Sequence, residues 1–98
     1  MTREEILAKL KANEGELKAA GIVRLSIFGS VARGDNSAVS DIDLLADFDR
    51  TRRITLLTVG RLETRLAELL GKNVDLASSD WLQDTVRDRA LREAIVAF

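Results

Sequence analysis

The chain has 98 residues, of which 46% are hydrophobic and 32% charged, and its formal net charge is −1. This length and apolar content suit a single domain, residues 1–98, with one core. The near-zero net charge supplies no general positive field for a phosphate backbone, so nucleic acid is not the expected partner.

The absence of two residue types limits the metal sites and the catalytic groups that the chain can form. The chain contains no cysteine and no histidine, which excludes thiolate sites and removes the usual zinc ligand and the usual general base. A metal site must therefore use oxygen ligands, which favours Mg²⁺, Mn²⁺ or Ca²⁺. Neither a signal-peptide pattern nor an apolar run of roughly 20 residues is present, so we expect a cytoplasmic protein without membrane contact.

The N-terminal segment predicts a helix. Thr2 and Glu5 match a capping box, and apolar residues at helical spacing follow them to about residue 20. Gly21 is the expected C-terminal stop, and Gly15 could mark a bend because glycine weakens a helix.

Two strands flank a turn in the middle of the chain. Residues 22–28 are β-branched and apolar and predict the first strand, after which Gly29 opens a turn with a short helical piece from about Ser30. Residues 36–40 continue as a loop, and residues 41–48 predict the second strand. Its apolar residues fall on both faces, so we expect this strand to be covered on both sides.

The second half adds a helix, a strand and a helix. Residues 55–70 predict an amphipathic helix that ends at Gly71, and residues 74–77 predict a third strand. Ser79 or Asp80 then caps a last helix, whose expected buried side recurs at Leu82, Val86, Ala90, Ala94 and Ala97 and is widened by Leu91, Ile95 and Phe98. The predicted order is α-β-β-α-β-α.

Some polar and aromatic residues have two interpretations. Arginines could form a basic stripe for a partner, but a solvated face is favoured for them: Arg52, Arg53, Arg61 and Arg65. Trp81 is interpreted as packing at a helix start, with an interface anchor as the alternative. Asp47 and Asp49 are expected to be exposed at the end of the second strand.

Three aspartates on predicted strands suggest a metal site. Asp41 and Asp43 are two residues apart, so they project from the same face about 7 Å apart along the strand, where they repel unless a cation lies between them. If the third strand lies beside the second, Asp75 points to the same place. Such carboxylates suit hard divalent cations, and two ions about 3.5–4 Å apart support phosphoryl transfer.

The turn before this pair suggests a phosphate site. Gly29 allows a close backbone approach, and Ser30 offers a hydroxyl and an amide. Each feature also has a structural explanation, as a tight turn, a capping Asp41 or a strand-end charge at Asp75. Their joint occurrence favours the site.

These motifs resemble a known family. The run Phe28-Gly-Ser-Val-Ala-Arg-Gly-Asp35, followed by Ser40-Asp-Ile-Asp-Leu-Leu45, is similar to the signature of the polymerase-β-like nucleotidyltransferase superfamily and of its minimal nucleotidyltransferase (MNT) branch. Val74-Asp75-Leu76 falls where the family has its third carboxylate, and residues 88–94 resemble its closing helix. The resemblance implies an α+β, two-layer nucleotidyltransferase fold, with a small mixed sheet and helices mainly on one face.

The resemblance also implies a reaction. A Mg²⁺-dependent enzyme, with Mn²⁺ as the alternative ion, would transfer AMP from ATP and release pyrophosphate. Gly29 and Ser30 would hold the triphosphate, Asp41 and Asp43 would ligate both metal ions, and Asp75 would ligate the second ion and accept the proton of the acceptor. Two roles stay open for Arg33, contact with a phosphate or pairing with Asp35 or a strand aspartate.

The family further implies a partner. Minimal proteins of this branch typically accompany a HEPN-domain toxin, act as its antitoxin and adenylylate a tyrosine on it. Larger relatives carry additional domains that hold the acceptor, so here another chain, a toxin or a second copy in an oligomer, is expected to hold it. The alternatives are a binding module that neutralises its partner without catalysis, and a small-molecule nucleotidyltransferase.

Overall fold

The computed structural model describes residues 1–34 and 41–98. This part of the chain contains five α-helices, one 3₁₀ helix and four strands. In chain order they are α1 Arg3–Ala12, α2 Glu14–Ala19, β1 Ile22–Phe28, α3 Gly29–Ala32, β2 Ile42–Phe48, α4 Leu56–Leu70, β3 Val74–Ser78, the 3₁₀ helix Ser79–Trp81, α5 Asp84–Glu93 and β4 Ile95–Val96.

The N-terminal helix is divided in two. The predicted capping box is confirmed: Glu5 N donates to Thr2 Oγ1 at 3.1 Å and Thr2 N donates to Glu5 Oε1 at 3.3 Å. The helix breaks at Asn13, two residues before the expected bend at Gly15. The Asn13 side chain donates to Lys9 O at 2.8 Å, so it satisfies a helix-terminal carbonyl and ends α1.

The sheet is mixed, with strand order β3-β2-β1-β4. β1 pairs antiparallel with both β2 and β4, whereas β2 and β3 are parallel. A parallel pair needs a crossover connection, which α4 supplies between β2 and β3. The predicted position of the third strand beside the second is confirmed.

Both faces of β2 are covered, as predicted. The main core lies on one face, between the sheet and α1, α2 and α4, and includes Leu25, Ile27, Ile42, Leu44, Ala46, Leu62 and Leu66. Leu45 and Ser26 point to the other face and are also buried. There α5 packs against β1 and presents the buried Ala90. The α+β arrangement with most helices on one face is therefore confirmed.

α4 agrees with the prediction at both ends. The Thr55 side chain caps its N-terminus by accepting from Thr58 N at 3.2 Å. Gly71 ends it in the left-handed conformation at φ 68°, where a side chain would be strained. No helix within residues 1–34 and 41–98 combines the length and apolar character that a bilayer crossing requires.

The predicted last helix is wrong at both ends. Ser79 and Asp80 belong to the 3₁₀ helix, and Gln83 is the N-cap residue of α5. α5 stops at Glu93, and residues 95–96 form β4 instead. The free edge of β1 explains this change, because Leu25 O accepts a hydrogen bond from Ala97 N at 2.8 Å.

The expected buried face of this helix is confirmed at Ala90 but wrong at Val86 and Leu91. Val86 and Leu91 are about half exposed, and Ala90 is the buried residue of α5. Ile95, Ala97 and Phe98 do pack against the main core, but from an extended segment.

Candidate active site

Three strand ends meet where the candidate site lies. Asp43 of β2 is in register with Asp75 of β3 on one side and with Phe28, the last residue of β1, on the other. Side chains paired in register project from the same face of a sheet, so Asp43 and Asp75 are neighbours there. Gly29 follows Phe28 directly, which brings the turn to the same end of the sheet.

Gly29 touches the carboxylate of Asp43. Its φ is +70°, and a Cβ atom built on it would lie 2.5 Å from Asp43 Oδ2. Any side chain at this position would therefore be strained and would displace the carboxylate. α3 begins here and carries the half-buried Ser30, so the expected short helical piece is confirmed.

The surroundings of Asp43 oppose its ionisation. Burial is the largest cause that raises its pKa, followed by the negative charges of Asp75 and Asp41, while Arg33 acts in the opposite direction. Asp41 and Asp75, the other two aspartates predicted from the sequence, are therefore within electrostatic reach of Asp43.

The donor chemistry of these residues fits Mg²⁺, since all three supply carboxylate oxygens. Within residues 1–34 and 41–98, however, no group of three acidic side chains is compact enough to hold a metal ion. Like charges at this spacing repel, so a compact arrangement of all three requires a cation between them. The assignment of Asp41, Asp43 and Asp75 as joint ligands stays a prediction.

An open cavity of about 400 Å³ lies beside the aspartates. Asp75 of β3, Glu63 of α4 and Asp41 line it. Asp41 immediately precedes β2, which begins at Ile42 and not at Asp41 as predicted. The Glu63 carboxylate accepts a hydrogen bond from Leu76 N at 2.9 Å. Sequence reasoning missed this residue; its one signal was an acidic side chain beside Leu62, at the border of the buried face of α4.

Arg33 lies at the end of α3 and forms an ion pair with Glu93 of α5, at 3.5 Å between Nη1 and Oε2. This partner was not predicted. The attraction between Arg33 and Asp43 agrees with the expected role beside a strand aspartate. Asp35, the other predicted partner, lies outside the described residues, as does the predicted loop 36–40.

Two of the four arginines of the supposed stripe, Arg52 and Arg65, make intramolecular contacts. Arg65 binds Glu16 through two hydrogen bonds of 2.8 and 3.0 Å, and Arg52 donates to Ala19 O at 2.7 Å. Arg53 and Arg61 are exposed. These contacts favour the solvated-face interpretation.

The far end of β2 differs from expectation. Asp47 and Asp49 are half-buried rather than exposed: Asp47 accepts from Ser79 Oγ, and Asp49 accepts from Thr51 N at 2.9 Å. Trp81 is 47% exposed, so it packs only in part. A cavity of about 460 Å³ also opens at this end, but none of the three site aspartates lines it.

Comparison with known proteins assigns the chain to a protein family. The family model described as polymerase beta, nucleotidyltransferase matches residues 4–98. The chain belongs to this family. The resemblance predicted from its motifs is confirmed, and with it the assignment as a nucleotidyltransferase.

Two similar proteins match this chain over nearly its whole length. Protein adenylyltransferase MntA of Thermococcus cleftensis is 36% identical over 96 residues, covering 97% of this chain and 95% of that protein. A solved structure described provisionally as a minimal nucleotidyltransferase is 42% identical with a TM-score of 0.83, covering 97% and 95% of the two chains.

A more distant solved structure shares the fold. It is the complex of a tri-AMPylated Shewanella oneidensis HEPN toxin with an MNT antitoxin, and a chain of it matches with a TM-score of 0.61 at 16% identity. The match covers 89% of this chain and 70% of that one. At this identity the likeness concerns the fold alone.

Proposed function

We propose that this nucleotidyltransferase transfers AMP from ATP to a hydroxyl group on a partner protein and thereby acts as an antitoxin. The observation that carries the proposal is the register of Asp43 with Asp75, with Gly29 against the Asp43 carboxylate. The likeness to a protein adenylyltransferase over 97% of the chain supports the choice of donor and acceptor.

The candidate residues have different roles in the proposed reaction. Gly29 and Ser30 would hold the triphosphate, and Asp41 and Asp43, together with Asp75, would hold Mg²⁺, or Mn²⁺ in its place. Bound Mg²⁺ supplies stabilisation of the charge that develops on the phosphate oxygens. The acceptor oxygen forms a bond to the α-phosphorus, the bond to pyrophosphate breaks, and the hydroxyl proton passes to Asp75.

A HEPN-type toxin is the proposed partner, and a tyrosine of it the acceptor. The shared fold with the MNT chain of a complex that contains an AMPylated HEPN toxin supports this partner. The cavity beside Asp75 is open to solvent, so an acceptor side chain from another protein has access to that carboxylate.

Transfer of label from ATP tests the proposal. The protein is incubated with Mg²⁺, ATP labelled at the α-phosphate and the product of its neighbouring gene. We expect label on the partner with wild type, and transfer slower by about 100-fold or more with Asp43→Asn, as expected when charge stabilisation is lost. Asp84→Asn, the same change at an exposed position on α5, is the matched control. Absence of transfer by wild type, or equal transfer by Asp43→Asn, would contradict the proposal.

A second candidate is neutralisation of the partner by complex formation alone. The exposure of Trp81, which is 47% exposed, favours it, because tryptophan is enriched at the centre of protein interfaces. The Asp41→Ala/Asp43→Ala double variant separates the two. Retained protection of cells from the toxin supports simple binding, and loss of protection with an intact complex supports catalysis.

A further inference from the structure

β3 is an edge strand, and one of its outward backbone groups has a specific partner. Among the strands formed by residues 1–34 and 41–98, β3 has a neighbour, β2, on one side only. Leu76 N donates across the open side to Glu63 Oε2 at 2.9 Å, so α4 satisfies an amide that no strand reaches. Glu63 is itself held in place, because its neighbours Leu62 and Leu66 are buried in the core.

This contact bears directly on Asp75. The N–H of Leu76 belongs to the planar peptide unit that begins at the Asp75 carbonyl, so fixing that N–H fixes the ψ angle of Asp75. The Leu76 side chain is anchored on the opposite face, where it is 8% exposed. Register pairing with Asp43 restrains the inner side of the strand. Edge-strand amides that bind only water open readily, so without Glu63 the direction of Asp75 would be poorly defined.

We propose that Glu63 is a positioning residue that holds Asp75 in the orientation needed beside Asp43; the inference rests on the proposed AMP transfer. Glu63 acts through its hydrogen bond to Leu76 and not by touching the nucleotide. A carboxylate that accepts from an amide forms a stronger and shorter contact than a neutral acceptor, which suits this role.

Three variants separate the hydrogen bond from the charge. Glu63→Ala removes both, Glu63→Gln keeps an acceptor oxygen without the charge, and Glu68→Ala removes a carboxylate from the same helix that forms an ion pair with Arg65. For AMP transfer we expect Glu63→Ala to lower kcat about 10- to 100-fold, as small misplacements of catalytic groups do, with KM for ATP changed less than about twofold. Glu63→Gln should stay within about threefold of wild type, and Glu68→Ala should match it.

Amide hydrogen exchange provides a readout independent of activity. In the nucleotide-free protein, Leu76 N–H should exchange at least about 10-fold faster in Glu63→Ala than in wild type, because its acceptor is lost. Glu63→Gln should retain most of the protection. Glu63→Met, which keeps the length of the side chain without an acceptor, replaces the alanine variant if that variant does not fold.

The results for the Glu63 variants either support or overturn the positioning role of Glu63. Wild-type kinetics in Glu63→Ala would overturn the proposal, and so would wild-type exchange of Leu76 N–H in that variant. An equal loss of kcat in Glu63→Gln and Glu63→Ala would also overturn it, because the effect would then be assigned to charge. If wild type transfers no AMP, the proposed function fails on its own. The positioning role is then judged by the Mg²⁺-induced shift of the Asp75 amide resonance, which should change in Glu63→Ala and persist in Glu63→Gln.

Discussion

Asp43 was predicted from a local sequence pattern, but its contacts in the fold depend on residues outside that pattern. Its spacing from Asp41 predicted a shared strand face, but β2 begins at Ile42, so Asp43 lies on the strand and Asp41 immediately precedes it. The closeness of Asp43 Oδ2 to Gly29 depends on the antiparallel pairing of β1 with β2. The motif therefore identified the residue, and strand pairing set its surroundings.

The raised pKa of Asp43 leads to a prediction about stability. An acid with a raised folded-state pKa loses stability as pH rises from its ordinary value of 3.8 through the raised value, and the loss is complete above the raised value. We therefore expect metal-free Asp43→Asn to melt at a slightly higher temperature than wild type at pH 7, and the difference to shrink as pH falls toward 3.8. Thermal unfolding in EDTA across this pH range checks it. A difference that is absent, reversed or independent of pH would contradict the raised pKa.

The C-terminal segment shows the limit of periodicity at the scale of elements. In residues 94–98 the apolar run is continuous, so it fits a helix and a strand equally well. The free edge of β1 decides in favour of β4, since pairing there satisfies backbone groups of Leu25. The same pairing covers part of the strand that leads into Gly29.

Adjacent alanine substitutions test the assignment of β4. Ile95 packs against the core, whereas Val96 is 51% exposed. We expect Ile95→Ala to lower the free energy of unfolding by about 1–2 kcal/mol and Val96→Ala by less than about 0.5 kcal/mol, because only the first removes buried apolar surface. Urea denaturation measures both. Equal effects, or a larger effect at Val96, would contradict the alternation of a strand.

At the scale of the whole molecule, one face of the sheet forms the core and the other carries the candidate site. The core face holds the fold together through α1, α2 and α4, while the aspartates project from the face covered by α5. The site lies at one end of this second face, where β1, β2 and β3 bring Gly29, Asp43 and Asp75 together. Ligands can therefore bind and leave at that end of the sheet without repacking of the main core.

Mg²⁺ and ATP together should stabilise the folded protein. A ligand that binds only the folded state adds about 2.7 kcal/mol at a hundred times its dissociation constant. We expect this gain for wild type in thermal unfolding with Mg²⁺-ATP, and none for Asp41→Asn/Asp43→Asn. Asp84→Asn should behave like wild type. A wild-type melting temperature indifferent to Mg²⁺-ATP would count against an intact nucleotide site.

The sequence by itself determined the features whose physical cause lies within a few residues. The caps at Thr2, Thr55 and Gly71 were predictable because each involves a backbone group at most four residues away. The spacing of Asp41 and Asp43 and the small-residue turn at Gly29 also identified the family, since these motifs are local.

Only the tertiary structure decided which distant residues meet. The register of Asp43 with Asp75, the hydrogen bond of Glu63 to Leu76 and the addition of β4 to β1 all join segments that are far apart in the chain. Strand register and edge pairing depend on how separate elements dock, and no short-range pattern of residues contains that information. The candidate catalytic residues could be predicted, but the residue proposed to hold one of them in position could not.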